Sequence, residues 1–413
     1  MTKIKYFVCQ LSNGRYRMKM LASIFLVLSL LLSLAGCSNQ TDILTPATKE
    51  ETTESESAIE LAIGNNIPYD GKGKIAIITT TLSENEEHYR SAQDMVEKYG
   101  EEKIVHILWP FSITKLASDL EIKALIINPA VTGTNAVVEK LLEVRDDIFI
   151  VYCTPQENSS VSASNADLVI MLDELKMGTS IPEQAKKLGA KTFIHYSFPR
   201  HMSQSLLLLR KDLMAEKCKE IGLEFIYVDA PDPTGDLGIL GAQQFILEDV
   251  PKMVEQYGKD TAFFATNCGM QISLIKACVD TGAIYPQSCC PSPYHGFPTA
   301  LGIKFQGSED NLKYVISETT RILEEHNGIG RFSTWPVPMS MMATVASTEY
   351  AIKLLAGEIL DKDNIDLKVL EQCMSDYANV VVTTSPLVER INENTVEYSN
   401  FRLVSMDFLT YGE

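Results

Sequence analysis

From Lys74 onward, short runs of β-branched and apolar residues alternate with amphipathic stretches, and this alternation limits what the chain can fold into more than any other feature. The strand candidates are Ile75 to Thr79, Ile104 to Trp109, Ala124 to Asn128, Ile148 to Cys153, Leu168 to Leu172, Thr192 to Tyr196, Glu224 to Val228 and Ala262 to Thr266. Runs that are apolar almost without interruption suit parallel strands covered on both faces. The stretches between them read as helices, and several end at a glycine, the residue that best tolerates the left-handed position after a helix: Gly100, Gly189, Gly222, Gly258, Gly282 and Gly357. Ser83 with Glu86 makes a capping-box pair that predicts the start of the first helix. Strand, helix, strand repeated over about 340 residues, against usual domains of about 100 to 200, predicts an α/β chain with two doubly wound, mostly parallel sheets.

Ahead of this region the text changes character. Lys3, Lys5, Arg15, Arg17 and Lys19, with no acid among them, precede the apolar run Leu21 to Leu34, which breaks at Leu34-Ala35-Gly36-Cys37. The run is shorter than the ~20 apolar residues a spanning helix needs. A charged segment, a short apolar core, small residues and then cysteine resembles the bacterial lipobox. That resemblance implies a signal peptide over residues 1–36, lipidation of Cys37, and an extracytoplasmic protein anchored to a bacterial membrane. Met18 could begin an equally good signal peptide. Residues 38–70, rich in Thr, Ser, Glu and Asn, predict a flexible tether that makes 37–70 a spacer between lipid and domain.

Composition excludes some functions. A net charge of −18 argues against nucleic acid, whose phosphates are held by Lys and Arg. It says little about a small ligand, because the charge can be spread over solvated helix faces. Of nine cysteines, Cys9 leaves with the signal peptide and Cys37 is acylated; Cys153, Cys218, Cys268, Cys278, Cys289, Cys290 and Cys373 remain. An odd set, mostly in apolar text, reads as buried thiols and not as a disulfide framework. The pair Cys289-Cys290 near His295 could join Cys268 around a metal, but the spacing matches no zinc pattern, so neither metal nor cofactor is predicted.

In doubly wound sheets ligands bind beyond the carboxyl ends of the strands. By position alone this nominates Thr80, Thr81, Trp109, Asn128, Thr154, Tyr196, Arg200 and Asn267, each of which is also an ordinary turn or cap residue. His195, His201 and His295 lie near Ser197, Asp229 and Asp232, but no nucleophile elbow, phosphate loop or zinc-protease helix is present, and an enzyme is the last-ranked reading.

The layout resembles the type I periplasmic binding proteins, solute receptors of ABC importers related to ribose receptors and to nucleoside-binding basic membrane lipoproteins. The likeness is carried by Lys74 to Thr79 as opening strand, Asp173 to Ser197 as passage into a second lobe, Phe263 to Asn267 with the following helix to Gly282, Phe305 to Asp310 as return crossing, and Phe332 to Trp335 with the helix Pro338 to Leu355. It implies two Rossmann-like lobes with a ligand cleft between them: 71–175 plus 307–360, and 176–306 plus 361–413. Crossings are expected near Asp173 to Met177, Gln306 to Asp310 and after Gly357. The implied partners are a small-molecule ligand and an ABC permease, or alternatively a membrane sensor. The places where sugar receptors carry acids read Cys153-Thr154-Pro155 and Phe305-Gln306-Gly307 here, and the final crossing reads Trp335. Trp109 and Trp335, with Tyr152, Tyr196, Phe198 and Tyr294 nearby, predict a ring-bearing, nucleoside-like or heterocyclic solute stacked on aromatics and oriented by Asn267 and Arg200.

Overall fold

The structure is a computed structural model that describes residues 73–304, 311–362, 364–391 and 394–413. The signal peptide, Cys37, the tether and the Gln306 to Asp310 segment lie outside these residues. The eight strand candidates all form, shifted by at most two residues: β1 (Lys74–Thr79), β2 (Ile104–Leu108), β3 (Ile122–Ile127), β4 (Phe149–Cys153), β5 (Leu168–Leu172), β6 (Thr192–Ser197), β7 (Glu224–Asp229) and β8 (Thr261–Ala265). The helices between them are α1 (Glu86–Tyr99), α2 (Ile113–Ser118), α3 (Thr134–Leu142), α4 (Ser159–Asn165), α5 (Glu174–Lys187), α6 (Pro199–Met202), α7 (Ser205–Ile221) and α8 (Gly238–Tyr257). After β8 come α9 (Cys268–Thr281), α10 (Phe297–Leu301), α11 (Asn311–Glu325), β9 (Ser333–Thr334), α12 (Met339–Leu355), α13 (Leu367–Ala378), β10 (Val382–Ile391), β11 (Asn394–Met406) and β12 (Leu409–Thr410).

The first sheet runs β10-β11-β5-β4-β3-β1-β2. Its inner order, 2-1-3-4-5, is that of a doubly wound sheet, in which the chain starts at β1 and winds outward in both directions. Successive side chains of a strand point to opposite faces. Ile75 and Ile77 therefore join the core under α1, α12 and α13, while Ala76 and Ile78 join the core under α2, α3 and α4. The second sheet, β7-β6-β8, repeats the arrangement: Ile194 and Tyr196 pack toward α8 and α9, and Phe193 toward α5 and α7.

The chain passes between the lobes three times. Asp173 ends the first passage; it caps α5 by accepting from Lys176 N–H (2.8 Å), and its own N–H donates to the Val404 carbonyl (2.9 Å). The second lies between Phe332 in the second-lobe core and Trp335 in the first, and the third between Met406 in the first and Tyr411 in the second. Those two passages contain β9 and β12, which pair antiparallel, Ser333 with Thr410 and Thr334 with Leu409.

Two boundary expectations need correction. The return crossing does not occur before α11, because Phe297 of α10 and Leu323 of α11 both sit in the second-lobe core. The chain also does not leave the first lobe after Gly357. Leu370, Cys373 and Met374 of α13 fill the first-lobe core, β11 pairs parallel with β5 (Phe401 with Val169), and β10 closes the sheet as an antiparallel edge. Residues 367–406 thus belong to the first lobe. The capping box is displaced too: α1 is capped by Asn85, which accepts from His88 N–H (3.1 Å), while Glu84 accepts from the Thr81 N–H (2.9 Å) in the turn before it.

Candidate functional site

The strand-to-helix turns of the two lobes face each other across a cleft of about 780 Å³. The first-lobe wall is made by the start of α1, by Thr154 and Leu172 at the ends of β4 and β5, and by Pro338 to Met341 at the start of α12. The second-lobe wall is made by Cys268, the first residue of α9, and by the loop from Cys290 to Thr299.

Asn128 organises the first wall from beneath. It is fully buried, and its amide donates to the Ser340 carbonyl (2.8 Å) and to Thr344 Oγ1 (2.7 Å) while Oδ1 accepts from Thr154 Oγ1 (3.2 Å). The side-chain bonds of Asn128 thus hold Thr154 and the start of α12 in place. Thr154 is held at φ 47°, a left-handed position rare for a β-branched residue, and lines the cleft. Glu87 projects from α1 and accepts from Ser340 Oγ (2.5 Å) and, more weakly, from Ser292 Oγ of the opposite wall (3.4 Å), so the carboxylate reaches across the opening. Burial raises its pKa, and the hydrogen bond from Ser340 and the charge of His295 oppose the rise. Burial holds His88, one residue on, down at about 4, so its imidazole is neutral at physiological pH.

The second wall is built around sulfur. Asn267 caps α9 by accepting from Gly269 N–H (2.8 Å), which sets Cys268 at the positive end of the helix. Cys268 Sγ lies 3.4 Å from Cys289 Sγ and 3.5 Å from Cys290 Sγ. The Cys289-Cys290 turn is tied by Ser288 Oγ, which donates to the Cys290 carbonyl (2.7 Å). Hydrogen bonds from the Cys289 and Cys290 thiols, with His295 close by, hold the Cys268 thiol far below its ordinary value, whereas Cys289 is driven well up and Cys290 up to about 12. The expectation of separate buried thiols describes Cys153, Cys218, Cys278 and Cys373 but not these three. His295 Nε2 is buried without a hydrogen-bond partner.

Of the residues nominated from sequence, Thr154 lines the cleft, Asn128 and Asn267 stand behind its walls, and Thr80 and Thr81 lie in the turn leading into α1. The others are elsewhere. Trp109 ends the edge strand β2 and packs edge-on against Phe111 (5.2 Å) beside the core on the α2 face. Trp335 is 2% exposed within the first-lobe core. Tyr196 is still inside β6, where it stacks on Phe263 (6.0 Å) and donates to Asp249 (2.8 Å). Arg200 is held outside the cleft by two bonds to Asp232 (2.6 and 2.9 Å). The stacking argument thus loses both tryptophans, and Tyr294 is the Phe, Tyr or Trp ring that lines the cleft. Of the residues missed, Glu84, Asn85, Glu87, His88, Arg90 and Ser340 carry no motif, and Glu86 was read only as part of a capping box. The sequence alone suggests grouping Cys268, Cys289, Cys290 and His295, but their spacing matches no zinc pattern; the structure brings them together.

Comparison with known proteins fits this architecture. An uncharacterized protein of Treponema pallidum (strain Nichols) is 31% identical over 198 residues, 48% of this chain and 90% of that protein. The crystal structure of a candidate transcriptional regulator from Clostridium difficile 630 superposes with a TM-score of 0.75 at 24% identity, over 82% of this chain and 99% of that one, so the two share a fold. A looser likeness, with a TM-score of 0.45 at 9% identity over 70% of this chain and 86% of the other, is to a sugar ABC transporter structure from Actinomyces odontolyticus ATCC 17982. Residues 73–333, which hold β1 to β8 and every second-wall residue, match the family described as "Protein of unknown function (DUF3798)", and the chain belongs to that family.

Proposed function

We propose that this chain is an extracytoplasmic, lipid-anchored receptor that binds a small solute in the interlobe cleft and presents the closed form to an ABC permease. The observation that carries the reading is the cleft itself. It opens at the carboxyl ends of both parallel sheets, is walled by both lobes, and is bridged by the Glu87 to Ser292 contact. The lobes are joined by three single-chain passages, two of them paired as β9 and β12, which is the construction of a hinge. Among the described residues no helix is long and apolar enough to cross a membrane, and anchoring is assigned to the Cys37 lipobox. The solute class follows from the walls: a small polar molecule that meets a carboxylate and hydroxyls on one side and thiols with an imidazole on the other.

Native mass spectrometry of the protein purified without denaturation tests this directly. A stoichiometric small molecule, lost on unfolding, is the expected result. A purified protein that is empty and shows no thermal stabilisation by any solute of a broad metabolite panel would contradict the receptor reading. Fatty-acid labelling tests the anchor: label should disappear in Cys37→Ser, and label that persists would place the lipid elsewhere.

A further inference from the structure

Cys268, Cys289 and His295 come from two separate segments, the start of α9 and the loop after it, yet their sulfur and nitrogen atoms all lie within 4.8 Å of one another. Zn–S and Zn–N bonds of about 2.3 and 2.0–2.1 Å in a tetrahedron put ligand atoms roughly 3.5 to 3.8 Å apart. The Cys268 to Cys289 separation of 3.4 Å is already that spacing to within a few tenths of an ångström. The cluster is supported as metal sites are: Asn267 fixes the turn that presents Cys268, and Ser288 fixes the Cys289-Cys290 turn. His295 Nε2 is buried without a hydrogen-bond partner, and a nitrogen of this ring lies within 4.8 Å of both thiols. A buried imidazole nitrogen is ordinarily satisfied, so an unspent one beside two thiols is informative.

We propose that Cys268, Cys289 and His295 bind a thiophilic divalent ion of the Zn²⁺ class in the wall of the cleft, leaving one coordination position open toward the cleft's solute. Two thiolates and one imidazole form a donor set that favours Zn²⁺ over Mg²⁺ or Ca²⁺, and the two thiolates neutralise the ion. Three protein ligands with an open fourth position is the arrangement that lets a metal hold an exogenous group. Cys268 and His295 both line the cleft, so the open position faces it, with Cys290 alongside. The site rests on this geometry and does not depend on transport.

Cobalt is the probe. The reduced protein, titrated with Co²⁺, is expected to take one equivalent, with thiolate-to-metal charge transfer and the visible bands of tetrahedral cobalt, and to release it to Zn²⁺. Cys268→Ser and His295→Ala should weaken binding by more than the roughly tenfold cost of losing an outer-shell partner. Cys373→Ser, a buried thiol in the other lobe, should leave binding unchanged. Circular dichroism of each variant separates lost binding from lost fold. The proposal is overturned if the reduced wild-type protein shows no thiolate–cobalt band, or if the band survives in folded Cys268→Ser and His295→Ala. A Cys268–Cys289 disulfide in the native protein, with no cobalt uptake after reduction, overturns it equally.

Discussion

The first-lobe wall of the cleft is hydrogen-bonded into its own lobe at Asn128, Asn85 and Glu84, with His88 Nδ1 the exception, whereas the second-lobe wall is built on three thiols in contact mainly with one another beside the His295 imidazole. Asn128 ties Thr154 and the start of α12 together, Asn85 caps α1, and Glu84 is committed to Thr81. Across the opening, Cys268 meets Cys289 and Cys290 with the His295 ring beside them, and His295 Nε2 has no hydrogen-bond partner. A wall whose polar groups are already paired contributes shape. A wall with unspent donors contributes affinity, because a ligand that pairs them removes an existing desolvation cost. Substitutions on the first wall should therefore be read in stability, and those on the second in binding.

The largest effect is expected at Asn128. Asn128→Ala removes two donated bonds and one accepted bond that tie Thr154 and the start of α12 together from a fully buried position, at a cost of about 2 to 3 kcal/mol. Urea unfolding would register it as a lower midpoint with an unchanged slope. A loss below about 0.5 kcal/mol, the range of ordinary surface changes, would break the contrast between the walls.

Glu87 gives a smaller effect of opposite sign. Burial raises its folded pKa above the ordinary value of 4.5, so the carboxyl's contribution is fully present below that value and is lost as pH rises through the folded pKa. Glu87→Gln keeps the serine contacts and removes the buried charge; it should gain about 1 kcal/mol at neutral pH, a gain that vanishes below about pH 4.5. Denaturant titrations at the two pH values check both sign and window. Destabilisation at neutral pH would mean that the ionised carboxylate is held by more than Ser340 and Ser292.

The smallest stability effect belongs to Cys268→Ser. Cys268 is exposed, and its replacement should change unfolding by no more than about 0.5 kcal/mol. A loss of several kcal/mol in the ion-free protein would show that the thiol cluster is structural packing, and would turn the second wall into a copy of the first.

How much of this was legible follows from what each residue does. The eight parallel strands were readable from their runs of apolar and β-branched residues, which cover both faces of inner strands such as β1 and persist in the half-buried edge strands β2 and β7. The β10 and β11 ribbon was not. Its first strand is half-buried or exposed after Val382, carries Thr, Ser and Glu, and breaks register at Pro386, so it lacks the continuous apolar run that marks the others. Position at a strand end put Thr154 on the cleft lining, but Asn128 stands buried behind the wall and the Tyr196 side chain is still in the strand's alternation and points into the core. Trp335 was misassigned because a crossing between lobes has two sides, and the sequence does not tell which side a large ring will bury against. The sequence suggests a grouping of Cys268, Cys289, Cys290 and His295, but the spacing matches no zinc pattern; Cys268 and Cys289 meet only after α9 has turned the chain back.

Closure of the two walls on a common occupant is the central claim, and small-angle X-ray scattering tests it most directly. The protein stripped of its co-purifying compound should show a larger radius of gyration than the same protein saturated with it, the lobes rotating about the β9 and β12 passages. An unchanged radius at demonstrated saturation would contradict the account and leave the cleft a fixed groove.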